Sequence, residues 1–165
     1  MYKYSMQDYN QATMAKAVGV SLPISMKHSR EICEFVKHKS VQKVKLMLDK
    51  VQETELAVPF TRFNKNIGHK PGMAAGRYPV KAAAEIKKVV ENAEANAQFK
   101  GLNVNNLVIV HACAKLAPRP FRFGRQRGRK MRKAHVEIIV QEAEVKKSKK
   151  ESRLKDNKQV QAQKP

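Results

Sequence analysis

Arginine, lysine and phenylalanine dominate one short stretch of the chain, APRPFRFGRQRGRKMRKA at residues 117–134. From Pro118 to Lys133 there are sixteen residues, of which eight are arginine or lysine and none is acidic. Arginine guanidinium groups bind phosphate through two parallel hydrogen bonds and stack on the faces of bases. Phe121 and Phe123 are suited to stacking on unpaired bases. The stretch therefore predicts contact with a nucleic acid, and the alternative is a solvated basic loop.

A second basic stretch, residues 56–80, contains three prolines and three glycines and has no acid. Its composition predicts a long loop, and long irregular loops in compact proteins are usually functional or disordered. The two stretches, with the strand that leads into residues 117–134, supply the side chains that we expect to bind RNA phosphates: Arg62, Lys65, Lys70, Arg77, Lys115, Arg119, Arg122, Arg125, Arg127, Arg129, Lys130, Arg132 and Lys133. Tyr78 joins Phe121 and Phe123 as a candidate for base stacking.

Enzymatic phosphodiester chemistry is not indicated by the acidic and histidine residues. Such chemistry usually needs clustered carboxylates for a metal, or a paired acid and base. No acid falls in residues 56–84 or 95–136, and the histidines (His28, His38, His69, His111 and His135) show no metal-binding spacing. His111 and His135 are predicted to meet across paired strands, where a strand-face pair or an RNA contact is favoured over a catalytic dyad. We therefore predict no enzymatic activity, no cofactor, no metal and no small-molecule substrate.

The composition of the whole chain indicates a polyanionic partner. Its 165 residues favour one domain, and 34 basic against 14 acidic residues give a formal net charge of +20. Such a charge is repulsive in a solvated monomer, so nucleic acid is the expected partner, ahead of an acidic membrane surface. The sequence has no apolar run of about 18 residues and a polar N-terminus, so neither a membrane span nor a signal peptide is expected. Cys33 and Cys113 are predicted to be buried free thiols in a reducing cytosolic setting.

Periodicity predicts three strands and three helices. In chain order these are a strand around Val18–Leu22, a helix from Ser25 to Lys37, a helix from Ser40 to Gln52, a helix from Lys81 to Lys100, and strands at Asn106–Leu116 and Ala134–Glu142. Ser25 and Ser40 are predicted N-caps, and Gly101 is the predicted stop of the longest helix.

Apolar side chains at helical or alternating spacing predict which faces are buried. For the three helices these are His28, Ile32, Phe35 and Val36; Val41, Val44, Leu48 and Val51; and Ala83, Ile86, Val90, Ala93 and Ala97. In the last strand Val136, Ile138 and Val140 share one face, and His135, Glu137 and Ile139 share the other.

The chain is divided into three parts on these grounds. Residues 1–13 are predicted to be an N-terminal arm, residues 14–144 a folded body and residues 145–165 a lysine-rich tail. A long hairpin within the body, about residues 106–142, carries the first basic stretch at its end. Two-stranded ribbons are marginal in water and these charges repel one another, so the hairpin needs an anionic partner.

Four stretches together resemble a known family: SMKHSREICEFVKHKSVQKVKLML, VPFTRFNKNIGHKPG followed by GRYPVKAAAEI, NAEANAQFKGLNVNNLVIVHACA, and FGRQRGRKMRKAHVEIIVQE. They are similar to the archaeal and eukaryotic branch of the large-subunit ribosomal protein twenty-two family, whose eukaryotic member is numbered seventeen. The resemblance runs from about Ala15 to Glu144. It implies an α+β fold in which a three-stranded antiparallel sheet packs on about three helices, with a long protruding β-hairpin and a basic C-terminal tail.

The resemblance also implies a function. Members are non-enzymatic constituents of the large ribosomal subunit that bind its rRNA and neighbouring ribosomal proteins and aid assembly, so the expected location is the cytoplasmic ribosome. Their hairpin extends along the nascent-peptide exit tunnel, which makes the nascent peptide a further partner. Carried over by position, the RNA-clamping loop is Arg62–Tyr78 and the tunnel-facing tip is Pro118–Arg129, with Pro118, Arg119, Pro120 and Arg122 as the tip candidates.

One departure and one alternative accompany this interpretation. Where members read PRAFGRA this chain has PFRFGRQ at residues 120–126, and its outgoing hairpin arm is several residues shorter. The alternative function is that of a free basic RNA chaperone or nucleoid-type nucleic-acid-binding protein. That alternative explains the charge equally well, but it does not explain a long hairpin that needs a fixed partner.

Overall fold

Three helices and two small sheets form residues 2–143, which are the part of the chain that the computed structural model describes. The elements are β1 (Met14–Leu22), α1 (Met26–Val36), α2 (Val41–Gln52), β2 (Val58–Pro59), β3 (His69–Lys70), β4 (Ala74–Arg77), α3 (Val80–Phe99), β5 (Leu107–Leu116) and β6 (Ala134–Glu142). The α+β class with three helices and a three-stranded antiparallel sheet is therefore confirmed. The predicted tail, residues 145–165, lies outside the described residues.

The main sheet has the order β1-β6-β5, with β6 in the centre and both pairings antiparallel. Val136, Ile138 and Val140 of β6 are fully buried in the core that the helices share. Successive side chains of a strand point to opposite faces, so Glu137 and Ile139 lie on the outer face. The predicted alternation of β6 is confirmed.

The helices cover the inner face with apolar stripes. Each predicted stripe residue of α2 and α3 is fully buried. In α1, Ile32 and Val36 are buried but His28 and Phe35 are only half-buried, and His28 stands in the first turn, which borders a cleft. Gly101 follows the end of α3 with φ +77°, a left-handed conformation that favours glycine. Its predicted role as a helix stop is confirmed.

The predicted N-cap serines occupy the expected positions without capping. Ser25 and Ser40 have extended backbone conformations immediately before α1 and α2, but neither side chain accepts a hydrogen bond from its helix. The first backbone N–H groups of α1 therefore remain without a side-chain acceptor of this kind. The cysteines also differ from expectation: Cys33 is buried, and burial raises its pKa to about 12, but Cys113 is only partly buried.

A second sheet of three short strands interrupts the long loop predicted for residues 56–80. Its order is β2-β4-β3, with Val58 opposite Arg77 and His69 opposite Ala75. The strands have only two to four residues, too few for a readable alternation. Gly76 allows the close packing, because a Cβ atom there would lie 2.8 Å from the Met73 sulfur. The prediction of an irregular loop was wrong for these strands.

Residues 2–13 contain no helix or strand, and Tyr2 and Ser5 lie against the outer face of the main sheet. The carboxylate of Glu137 fixes them there: it accepts hydrogen bonds from the Tyr2 hydroxyl at 2.7 Å, the Ser5 backbone N–H at 2.9 Å and the Ser5 hydroxyl at 2.8 Å. Lys115 forms an ion pair with the same carboxylate. A side chain on β6 thus binds both the neighbouring strand and the N-terminal segment.

The electrostatics of Glu137 follow from these partners. The side chain is fully buried, and burial alone would raise its pKa. The Lys115 ammonium and the hydrogen bonds from Ser5 and Tyr2 outweigh burial and lower the pKa from its usual 4.5 to about 2. The interaction therefore stabilises the fold above about pH 4.5, and this contribution is lost as the pH falls towards 2.

We predict that Glu137→Gln lowers the free energy of unfolding by about 2 kcal/mol at neutral pH, because hydrogen bonds to a charged group are lost. The difference from the wild type should shrink as the pH falls from 4.5 towards 2, where the wild-type carboxylate is itself protonated. Urea unfolding at a series of pH values measures it. Glu142→Gln, at the end of the same strand, is the matched control. A difference that stays constant with pH contradicts the assignment.

Candidate nucleic-acid interface

Residues 117–133 continue from β5 and β6 as an irregular paired ribbon. The arms are joined by the Arg122 N–H to the Arg129 carbonyl and by the Met131 N–H to the Pro120 carbonyl, both at 2.8 Å. A short 3-10 turn at Gly124–Gln126 closes the end, with Gly124 at φ +68°. Pairing of the two arms is therefore backbone-mediated, and nearly all their side chains remain exposed.

The three aromatic candidates for base stacking differ in their exposure to solvent. Phe123 is 87% exposed, whereas Phe121 is 58% exposed and has the Lys130 ammonium 5.2 Å from its ring centroid. Tyr78 is half-buried, with the Lys70 ammonium 5.0 Å from its ring. Exposure of an apolar ring to water is unfavourable unless a partner covers it. Phe123 is therefore the best placed of the three rings for stacking on a base.

The second basic stretch packs on α1. Phe60, which follows β2, is buried with its ring edge-to-face against His28 at 5.5 Å. The Lys27 ammonium lies 5.3 Å from the Phe63 ring. These contacts bring the loop that carries Arg62 and Lys65 onto the first turns of α1.

Three neighbouring clefts surround His28, and we call their lining residues the His28 surface. The first lies between the hairpin and the N-terminal ends of α1 and α3, with Lys81 opposite Arg122 and Arg129. The others bring Arg77 together with Arg119 and Arg132, and with Arg62 and Lys65. Two basic stretches that are far apart in sequence therefore meet at one surface.

The His28 surface is positive throughout. In the described part of the chain, none of the residues that line its three clefts is acidic. Neither α1 nor α3 has an acid in its first turn or a side-chain cap, so both helix termini add partial positive charge. Such an arrangement is chemically suited to phosphate groups, and its cations come from five elements and connections of the fold.

The family of the chain follows from its similarity to known proteins. Residues 17–141 match the family model described as ribosomal protein L22p/L17e. The chain belongs to this family. The large ribosomal subunit protein uL22 of Archaeoglobus fulgidus is 41% identical over 148 residues, which cover 85% of this chain and 94% of the relative. The uL22 proteins of Methanosphaera stadtmanae and Cenarchaeum symbiosum are 43% and 38% identical, over 85% and 86% of this chain and 96% and 98% of theirs.

Most candidate residues of this L22p/L17e chain line the His28 surface. They are Arg62, Lys65, Arg77, Arg119, Arg122, Arg129, Lys130, Arg132 and Lys133. Arg125 and Arg127 lie at the exposed end of the hairpin instead. Lys115 is engaged with Glu137 on the outer face of the sheet, so its charge is already compensated within the body.

Sequence reasoning missed Lys27, His28 and Lys81 as members of this surface. Lys27 and His28 stand in the first turn of a helix without an acid, which was a readable signal of a positive helix terminus. Lys81 holds the equivalent place in α3. Residue spacing in the sequence could not show which hairpin residues Lys27, His28 and Lys81 face.

The described residues form neither a metal-binding cluster nor a membrane-spanning helix. Between residues 2 and 143, no group of three or more histidine, cysteine and acidic side chains could hold a metal ion. No helix in this part of the chain is long and apolar enough to cross a membrane. His111 and His135 are not paired with each other, since His111 lies opposite Ile139 and His135 opposite Lys115.

The pKa of His28 reports on the surface around it. Burial lowers this pKa below its usual 6.5, and the positive charges of Arg77 and Arg132 lower it further. His28 is therefore neutral at neutral pH. It lines the clefts as an aromatic and hydrogen-bonding group and adds no charge of its own.

We predict that Arg132→Gln raises the pKa of His28, because one of the two cations that disfavour its charged form is removed. A proton NMR titration of the His28 ring measures the change. Arg125→Gln, a hairpin substitution outside the clefts, should leave the pKa where it is. An unchanged pKa in Arg132→Gln would show that the hairpin does not lie beside α1 in solution.

Proposed function

We propose that this chain binds large-subunit rRNA through the His28 surface and the hairpin. The chain is a structural constituent of the large ribosomal subunit and not an enzyme, as its family membership shows. The observation that supports the RNA site is the meeting of loop, hairpin and two helix N-termini around clefts that no acid lines. The free RNA chaperone, the alternative from sequence, does not agree with the family.

The basic residues fall into two groups that line different clefts. Arg62, Lys65 and Arg77 neutralise phosphates beside α1, and Lys70 extends that contact along β3. Arg122, Arg129 and Arg132 hold phosphates between the hairpin and the body. Phosphate contacts position the protein and carry no sequence information, so recognition is of RNA shape.

The hairpin extends along the peptide exit tunnel in this proposal. Arg119 and Arg122, two of the tip candidates, line clefts that face the body, which supports RNA contact for them. The residues that point beyond the clefts belong to the turn, where Phe123 and Arg125 are exposed. The turn therefore supplies the groups for the nascent peptide and the tunnel wall, while neighbouring ribosomal proteins contact the rest of the body.

We predict that the triple variant Arg122→Gln, Arg129→Gln and Arg132→Gln weakens rRNA binding and its salt dependence. Each lost phosphate contact should reduce the slope of log affinity against log salt by about 0.7 to 0.9, so the triple should lose roughly 2 to 3. Binding to purified large-subunit rRNA at several salt concentrations measures it. Lys43→Gln, Lys50→Gln and Lys88→Gln, on exposed faces of α2 and α3, form the matched control. Equal slopes in both triples contradict the proposed site.

Protein–RNA crosslinking on purified large subunits tests the function itself. Crosslinks are expected from loop residues near Arg62 and from hairpin residues near Arg129, to nucleotides that are close together in the folded rRNA. The proposal fails if these segments give no crosslinks. It also fails if most of the protein is found in the post-ribosomal supernatant at low salt.

A further inference from the structure

Glu31 is a buried acid at the edge of an otherwise basic surface. It lies on α1 with 3% of its surface exposed. Its carboxylate accepts hydrogen bonds from the Thr61 backbone N–H at 2.9 Å, the Thr61 hydroxyl at 3.0 Å and the Arg62 backbone N–H at 3.3 Å. All three donors belong to the two residues that begin the basic loop.

The chain leaves the small sheet after Phe60, where hydrogen bonds to Glu31 replace hydrogen bonds to the neighbouring strand. The Phe60 N–H still donates to the Ala75 carbonyl at 2.9 Å, as part of the pairing between the strands. The next two backbone N–H groups donate to Glu31 instead. A buried carboxylate is costly unless such donors satisfy it, so the hydrogen bonds fix the path of the chain.

Glu31 binds the main chain of Arg62 and leaves its side chain alone. Among the described residues, no ion pair involves the Arg62 guanidinium, although Arg62 lines a cleft with Glu31 and Glu34. Arg62 also lines a larger cleft with Lys65 and Arg77. The Glu31 carboxylate thus accepts hydrogen bonds from backbone and hydroxyl donors, and the Arg62 guanidinium remains available for phosphate.

We propose that Glu31 is a positioning residue for RNA binding, which holds Thr61 and Arg62 so that the basic loop faces the same cleft as Arg77. This inference rests on the proposed function. Glu31 does not touch the RNA itself, because it is buried beneath the loop. Its effect is to keep the loop cations in a fixed place relative to the hairpin cations.

Glu31→Gln tests the role, since glutamine keeps the size but cannot accept from all three donors with a full charge. Photo-crosslinking groups placed at Asn64 in the loop and at Gln126 in the hairpin turn report on the two regions separately. With purified large-subunit rRNA, the Asn64 crosslink should fall roughly threefold to tenfold while the Gln126 crosslink stays unchanged. Glu34→Gln, on the same helix but exposed and paired with Lys37, is the matched control.

A double-mutant cycle tests the route of the effect. If Glu31 acts through Arg62, Glu31→Gln should weaken rRNA binding much less when Arg62→Gln is already present. Thr61→Val removes one donor without changing α1, so it should lower the Asn64 crosslink in the same direction even if Glu31→Gln fails to fold.

The outcomes separate this inference from the proposed function. Absence of both crosslinks in the wild type overturns the proposed function. Wild-type crosslinks that Glu31→Gln and Thr61→Val leave unchanged overturn only the positioning role. A fall in Thr61→Val that is equal at Asn64 and Gln126 also overturns it, because the effect then acts on both regions alike and not on the loop.

Discussion

Uncompensated positive charge is the constraint on which this structure depends. The chain has 34 basic and 14 acidic residues, so most cations have no internal partner. The acids of the helices are used within the body, as in the pair between Lys87 and Asp49 at 2.6 Å. This local pairing lets α2 and α3 pack together without repulsion. It also leaves the basic loop and residues 117–133 of the hairpin, which have no acid, as the places where positive charge accumulates.

Two buried carboxylates tie the polar segments to the body. Glu137 fixes residues 2–5 on the outer face of the sheet, and Glu31 fixes residues 61–62 beside α1. Neither segment has apolar side chains enough to hold itself in place. Each carboxylate is satisfied by backbone and hydroxyl donors, which are directional, so it sets a position as well as adding stability. The small sheet and the loop therefore stay in register with α1.

The helices and the main sheet could be predicted from sequence because their periodicity is long enough to read. The apolar stripe from Val41 to Val51 and the alternation of β6 can be recognised without knowing which elements they pack against. The second sheet could not be predicted, since strands of two residues show no alternation. Periodicity placed Glu137 on the outer face, but its partners Tyr2 and Ser5 come from the distant N-terminus. The candidate cations were readable from composition, whereas their meeting around His28 depends on tertiary packing.

The position of the hairpin and the charge of the cleft are coupled by the residues that they share. Arg122 and Arg129 belong to the hairpin, and they lie across the first cleft from Lys81 and the N-terminus of α1. Repulsion between these cations opposes close approach of the hairpin to the body, and a few backbone hydrogen bonds hold the ribbon together. A phosphate group in the cleft attracts both sides and removes that repulsion. Binding of an anion there would therefore also orient the hairpin, because the same charges control both.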